Sequence, residues 1–173
     1  MRPDTEAEFR SFVAARWARL LRTAYLLTGD THDAEDVVQV TLERLYVAWR
    51  RLGPDDNADA YTRRILVNSN ISRVRRRRFR ERLTTSLPER ATADPTVQAD
   101  ERAALLAALA SLPARQRAAV VLRYWDDLSE SQVADVLGCS VGNVKSQTSR
   151  GLAKLRAHPD LAGHRLGTVG GVA

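Results

Sequence analysis

Apolar residues in this chain recur every three or four positions and nowhere alternate with a period of two over a useful length, so helices are the secondary structure it can build. Phe9, Phe12, Val13, Trp17, Leu20, Leu21, Ala24 and Tyr25 form one broad stripe, which Gly29 stops. Asp33, with Asp36 three positions later, is an acidic start signal for a second helix. Its apolar face runs Val38, Leu42, Leu45, Tyr46 and Trp49 until Gly53-Pro54 ends it. A third helix starts near Asn57 or Asp59, carries Ala60, Val67, Ile71 and Val74 on one face, and runs into a block of arginines. The expected fold class is all-α.

Between Thr84 and Asp100 the pattern breaks, with Pro88, Pro95, scattered charges and no stripe. This stretch reads as a flexible linker able to span about 55–60 Å when extended. Beyond it, Glu101 to Leu109 is a helix ending at Ser111-Leu112-Pro113, and Pro113 suits the first turn of another running to Tyr124. Ser129-Glu130-Ser131-Gln132 is a capping box that opens a short helix closed by Gly138. Ser140 then caps a longer helix to near Arg156. A short and a longer helix around a glycine turn are the signature of a helix-turn-helix. The expected organisation is two small helical domains, 5–83 and 101–158, joined by a linker at 84–100 and followed by a disordered tail at 159–173. A module of about 60 residues buries only about 60% of its unfolded surface, so both would gain from a partner.

Charge narrows the partner. Seven arginines between Arg73 and Arg82 face the single Glu81, a local excess equal to the formal +6 of all 173 residues. A block of that kind points to a polyanion, most simply nucleic acid. No apolar run approaches the roughly 18 residues of a membrane span, so membrane insertion is not expected. The sequence also starts without a signal peptide's apolar core, and its single cysteine, Cys139, suits a reducing compartment, so the expected location is cytoplasmic. Asp30, His32, Asp33, Glu35 and Asp36 could suggest a metal or acid–base site, yet carboxylates gather at helix starts for electrostatic reasons. No nucleophile or metal-ligand constellation is evident, and the chain is not expected to be an enzyme or to need a cofactor. Cys139 reads as core filler in the turn, and Trp17, Trp49 and Trp125 as packing anchors.

On the last long helix, Val141, Val144, Thr148, Leu152 and Leu155 fall on a packing side. Gly142, Asn143, Ser146, Ser149 and Arg150 project from the other, flanked by Lys145 and Gln147. Small residues let such a face approach a major groove, Asn and Arg can read base edges bidentately, and Lys or Ser can hold phosphates.

The run Leu112-Pro113-Ala114-Arg115-Gln116-Arg117, Leu122-Arg123-Tyr124, Leu128-Ser129-Glu130-Ser131-Gln132-Val133-Ala134, Leu137 to Ser146 and Arg150-Gly151-Leu152 resembles the fourth region of extracytoplasmic-function sigma factors. Thr28-Gly29-Asp30, Asp33 to Gln39 and Leu42 to Tyr46 resemble that family's second region, so the likeness extends from Phe9 to Arg156. It implies an alternative sigma factor that binds the RNA polymerase core through its β′ and β subunits, recognises the −10 and −35 elements of promoter DNA, and directs transcription initiation. Asp33, Glu35, Asp36, Gln39, Glu43 and Arg44 would dock on polymerase. Arg63, Asn68, Asn70, Arg73, Arg75, Arg76, Arg77 and Arg78 would serve the −10 region. Asn143, Lys145, Ser146, Ser149 and Arg150 would read the −35 element. The family commonly has an anti-sigma partner as well. Ser72 stands where the family usually has aspartate, and Ser149 where an aromatic is frequent. The competing reading is a stand-alone helix-turn-helix regulator, which has no need for an acidic docking helix and an arginine-rich reader in a first module.

Overall fold

The computed structural model describes residues 3–52, 57–83 and 97–162, and among them only helices are found. Three long helices build the first module: α1 (Pro3–Thr28), α2 (Thr31–Trp49) and α3 (Ala58–Leu83). Five shorter ones build the second: α4 (Val97–Ala110), α5 (Ala114–Tyr124), α6 (Glu130–Leu137), α7 (Val141–Arg156) and α8 (Pro159–Ala162).

Local chemistry sets these boundaries. Gly29 takes φ +78°, a left-handed conformation, and its amide donates to the Tyr25 carbonyl at 2.7 Å, closing α1. Asp33 lies in the first turn of α2, the acidic start that was expected, and Asp30 caps the helix: its backbone is extended and its carboxylate accepts from the Asp33 amide at 2.9 Å. The glycine turn leaves Asp30 as the first residue free to adopt that geometry. Asn57 caps α3 through the Ala60 amide at 2.9 Å. Pro113 occupies the cap position of α5, one residue before the expected first turn, with ψ at 143°. The capping box of α6 forms in both directions between Ser129 and Gln132, and Gly138 closes that helix at φ 61°. Ser140 caps α7.

Two stretches differ from expectation. Helix α4 begins at Val97, inside the segment read as linker, because Val97, Gln98, Ala99 and Asp100 all tolerate helix and precede its first apolar turn. Beyond His158-Pro159, where a disordered tail was expected, the chain makes the short α8, started by Pro159 and held by the buried Leu161. Gly53-Pro54, residues 84–96 of the expected linker and residues 163–173 of the expected tail lie outside the described residues.

The two modules share one apolar cluster. Leu20, Ala24, Leu27, Val37, Val38, Leu66 and Val67 come from the first, and Ala118, Val121, Leu122, Val133, Leu137 and Val144 from the second. Helices α1, α2 and α3 pack on one another, and α5, α6 and α7 likewise, while α5 and α6 also lie against α3 and α4 and α5 against α1. At one end Trp49 stacks edge-on to Phe9 at 5.3 Å and tilts against Phe12 at 4.8 Å, so this tryptophan is the anchor it was expected to be. Trp17 and Trp125 instead remain about half exposed. The Arg16 guanidinium grips both oxygens of Asp59 at 2.5 and 2.7 Å, fixing the start of α3 to α1 and holding the Asp59 carboxyl below its ordinary range.

Candidate nucleic-acid interface

Helices α6 and α7 with their glycine turn form the helix-turn-helix, and α5 supports it from behind. Val144, Thr148, Gly151 and Leu155 are the buried residues of α7. Gly151 lies so close to α5 that a Cβ there would stand 2.7 Å from a Val120 methyl. The opposite face is open: Asn143, Lys145, Ser149 and Arg150 are exposed and Ser146 half-exposed. Lys145 lies 3.6 Å from Glu130 at the start of α6, an exposed pair that a phosphate could displace at small cost. Val141, assigned to the packing side from sequence, is 38% exposed because it sits in the first turn, ahead of the crossing with α5.

The second basic surface is the far half of α3. Arg75, Arg76, Arg77 and Arg78 are exposed along consecutive positions, and Arg77 donates to Glu81 at 2.9 Å one turn on. Arg73 is different. It makes an ion pair with Asp33 of α2, and burial lowers its pKa from the usual arginine value. Arg77 approaches the same carboxylate at 3.9 Å. Asp33 was read as a polymerase-docking residue and Arg73 as a DNA-binding one; the structure brings them together across the α2–α3 seam. Asp36 and Arg44 of α2 share with Ser69, Ser72, Arg73 and Arg76 of α3 a cleft of about 220 Å³. Arg44 donates to the Ser69 hydroxyl at 3.2 Å.

The remaining docking residues, Glu35, Gln39 and Glu43, are exposed on α2, with Gln39 donating to Glu43 at 3.3 Å. Asn68 is exposed and Arg63 half-exposed on α3. Asn70 is not on that surface. It is 1% exposed and its amide lies 3.5 Å from the Leu27 carbonyl at the end of α1, so the packing of α1 and α5 keeps it from any nucleic acid in this arrangement. Sequence reasoning missed two further groups, Arg117 of α5 and Asp126 in the turn after it, both buried against α1. A buried charge paired across about a hundred residues of sequence leaves no local signal.

Among the described residues no group of three or more His, Cys, Asp or Glu could hold a metal, and no helix is long and apolar enough to cross a membrane.

A capped helix-turn-helix whose longer helix keeps one polar face open, joined to a helical module with an arginine-rich edge, is the arrangement of a two-module DNA-binding protein of transcription. The family comparisons are specific. The Sigma-70 region 2 family matches residues 4–80 and the Sigma-70, region 4 family residues 102–155. The chain is 41% identical over 149 residues to the RNA polymerase sigma-E factor of Streptomyces coelicolor, covering 86% of this chain and 84% of that one. With the ECF RNA polymerase sigma factor SigE of Mycolicibacterium smegmatis it shares 38% over 145 residues, 80% of this chain and 56% of the relative. Among solved structures, the sigma factor RpoE of Bartonella quintana, crystallised with the anti-sigma factor NepR, superposes with a TM-score of 0.75 at 26% identity, covering 91% of this chain and 99% of that one. The chain belongs to the sigma-70 family, in its extracytoplasmic-function group. It is an alternative sigma factor, and its relatives are transcription regulators rather than enzymes.

Proposed function

We infer that this sigma factor divides its work among three exposed surfaces. The α2 face of Glu35, Asp36, Gln39, Glu43 and Arg44 docks on core polymerase, and the arginine edge of α3 holds the −10 region. The open face of α7 reads the −35 element. In this reading residues 5–83 form the first functional unit, and the second runs from α4, which starts at Val97, through α8, which ends at Ala162. The observation that carries it is the division of α7: its apolar residues are buried and its hydrogen-bonding and cationic residues open to solvent. The chain acts by binding alone, with no bond chemistry of its own, in the cytoplasm beside the polymerase it serves. Because the Bartonella neighbour was crystallised with NepR, an anti-sigma protein is a further expected partner. The test of the whole reading is whether the full chain, added to core polymerase, starts transcription at a defined site that core alone ignores.

Two measurements address the separate surfaces. Asp36→Lys combined with Arg44→Glu reverses two exposed charges of α2 and should weaken core binding by about tenfold, through lost electrostatic complementarity. The helical content should be unaltered. Unchanged affinity would remove the docking assignment. For the arginine edge, Arg75→Ala with Arg76→Ala should flatten the dependence of log affinity on log salt by about 1.8 for the holoenzyme on duplex DNA, about 0.9 for each lost phosphate contact. Different promoters should weaken alike, because phosphates carry no sequence information. A slope that did not move would make this block a solvated charge run.

A further inference from the structure

Lys145 of α7 is shared between the open face and the helix beside it. Its ammonium lies 3.6 Å from a carboxylate oxygen of Glu130, the first residue of α6. The capping box fixes the backbone from which that carboxylate reaches. The Ser129 amide donates to the Gln132 side chain at 2.8 Å, and the Gln132 amide donates to the Ser129 hydroxyl at 3.2 Å. Val133, Ala134 and Leu137 of α6 are buried in one cluster with Val144 of α7, so the two helices hold the pair in a set relation. Asp135, the other acid of α6, is exposed and makes no ion pair among the described residues. Arg150, on the same open face as Lys145, has no acidic partner among them.

An acid in the first turn is favoured by the dipole of any helix. That accounts for a carboxylate at this position, but not for its pairing with a cation of the groove-side helix. On a surface that meets DNA such an acid has a cost, because it neutralises one cation and repels every phosphate that approaches. The cost falls unequally on two kinds of contact. An ammonium has three donors and no acceptor. Guanine O6 and N7 are uncharged acceptors, so Lys145 can keep one donor on Glu130 and give the others to the base. A phosphate is an anion. To hold one, Lys145 must leave Glu130 or bring two negative charges close together, which is unfavourable even in water.

We propose that Glu130 is a positioning residue for promoter recognition: by holding Lys145 it disfavours phosphate contacts, leaves base contacts open, and so raises discrimination for the −35 element over other DNA. This rests on the reading role given to α7 above. Glu130 acts here through Lys145, by weakening the wrong contact more than the right one.

Binding of the holoenzyme to a promoter duplex, and to the same duplex with its −35 element scrambled, tests this. Glu130→Gln keeps the size of the side chain and removes its charge. That side chain is 40% exposed and the cap of α6 belongs to Ser129 and Gln132, so the helix stands. Affinity for the scrambled duplex should rise about threefold, the scale of one exposed ion pair, and by more than affinity for the promoter. On the scrambled duplex the slope of log affinity against log salt should steepen by about 0.9, one further phosphate contact. Glu130→Asp, which keeps the charge, should keep the wild-type ratio of the two affinities. In a Lys145→Ala background Glu130→Gln should not move the slope. A Glu130→Gln chain that binds both duplexes less tightly by the same factor, or whose slope is that of wild type, would leave Glu130 a helix-start acid and overturn the proposal. The same steepening without Lys145 would overturn it as well. Lys145→Ala alone judges the reading role of α7. If it weakens promoter binding while Glu130→Gln changes nothing, only the role of Glu130 falls; if it changes binding to neither duplex, the reading role of Lys145 falls too.

Discussion

Replacing Gly151 with alanine should destabilise the second module by about 1–2 kcal/mol, although alanine is the better helix former by about 1 kcal/mol. The reason is the crossing of α7 with α5. A Cβ at this position would lie 2.7 Å from Val120 Cγ2 and 3.4 Å from the Gln116 carbonyl oxygen. Val120 cannot turn aside cheaply: it is buried, and a β-branched side chain in a helix has one strongly preferred rotamer. The two helices must therefore move apart, and the buried contacts of Val144 and Leu155 loosen with them. Valine at 151 should cost about 3 kcal/mol, at the upper end of overpacking effects. Denaturant unfolding of the full chain measures both. Pairing Gly151→Ala with Val120→Ala should restore part of the loss beyond additivity, since the second change removes the offending methyl. If Gly151→Ala were neutral or stabilising on its own, α7 would not cross α5 as closely as described.

Arg150 should decide one base of the −35 element. It is exposed, one residue before the buried Gly151, and nothing on its own face competes for it in the way Asp33 competes for Arg73. From a helix lying in the major groove its guanidinium can take both O6 and N7 of a guanine. Ser146 and Ser149 beside it are short and let the backbone approach. Arg150→Ala is therefore expected to cost about 1–3 kcal/mol on the preferred sequence and to flatten discrimination at a single base pair. A phosphate contact would instead weaken every −35 variant equally. Transcription from a set of single-base −35 variants, with wild type and Arg150→Ala at one salt concentration, separates the two. A uniform loss would pass the reading role to Asn143 or Lys145.

What could be read in advance follows how local each interaction is. The capping box of Ser129 and Gln132, the left-handed Gly138 and the Ser140 cap are contacts within a few residues, and each has a composition that betrays it. The two faces of α7 were legible for the same reason, because a period of 3.6 assigns sides before any partner is known. The acidic start of α2 at Asp33 was legible too, while the cap itself, Asp30 with its extended backbone after the left-handed Gly29, is a matter of backbone geometry. Helix α8 formed at all because tertiary burial of Leu161 offsets the entropy that composition alone suggests will win. Arg117 and Asp126 were invisible. An arginine between Gln116 and Ala118 looks like a surface residue, and only the arrival of α1, ninety positions away, buries it.

The division of α7 has a consequence for how such proteins diversify. Asn143, Lys145, Ser149 and Arg150 support no buried packing, whereas Val144, Thr148, Gly151 and Leu155 support nothing else. Exchanging an exposed helical residue usually changes stability by no more than about 0.5 kcal/mol, against a total of about 5–15 kcal/mol for a domain. The vocabulary of promoter recognition can drift almost without penalty while the scaffold stays fixed. If the open face of α7 reads the promoter as proposed, a duplicated copy could come to answer to different promoters through exposed substitutions alone, whereas a change at Gly151 carries a stability cost that those substitutions do not.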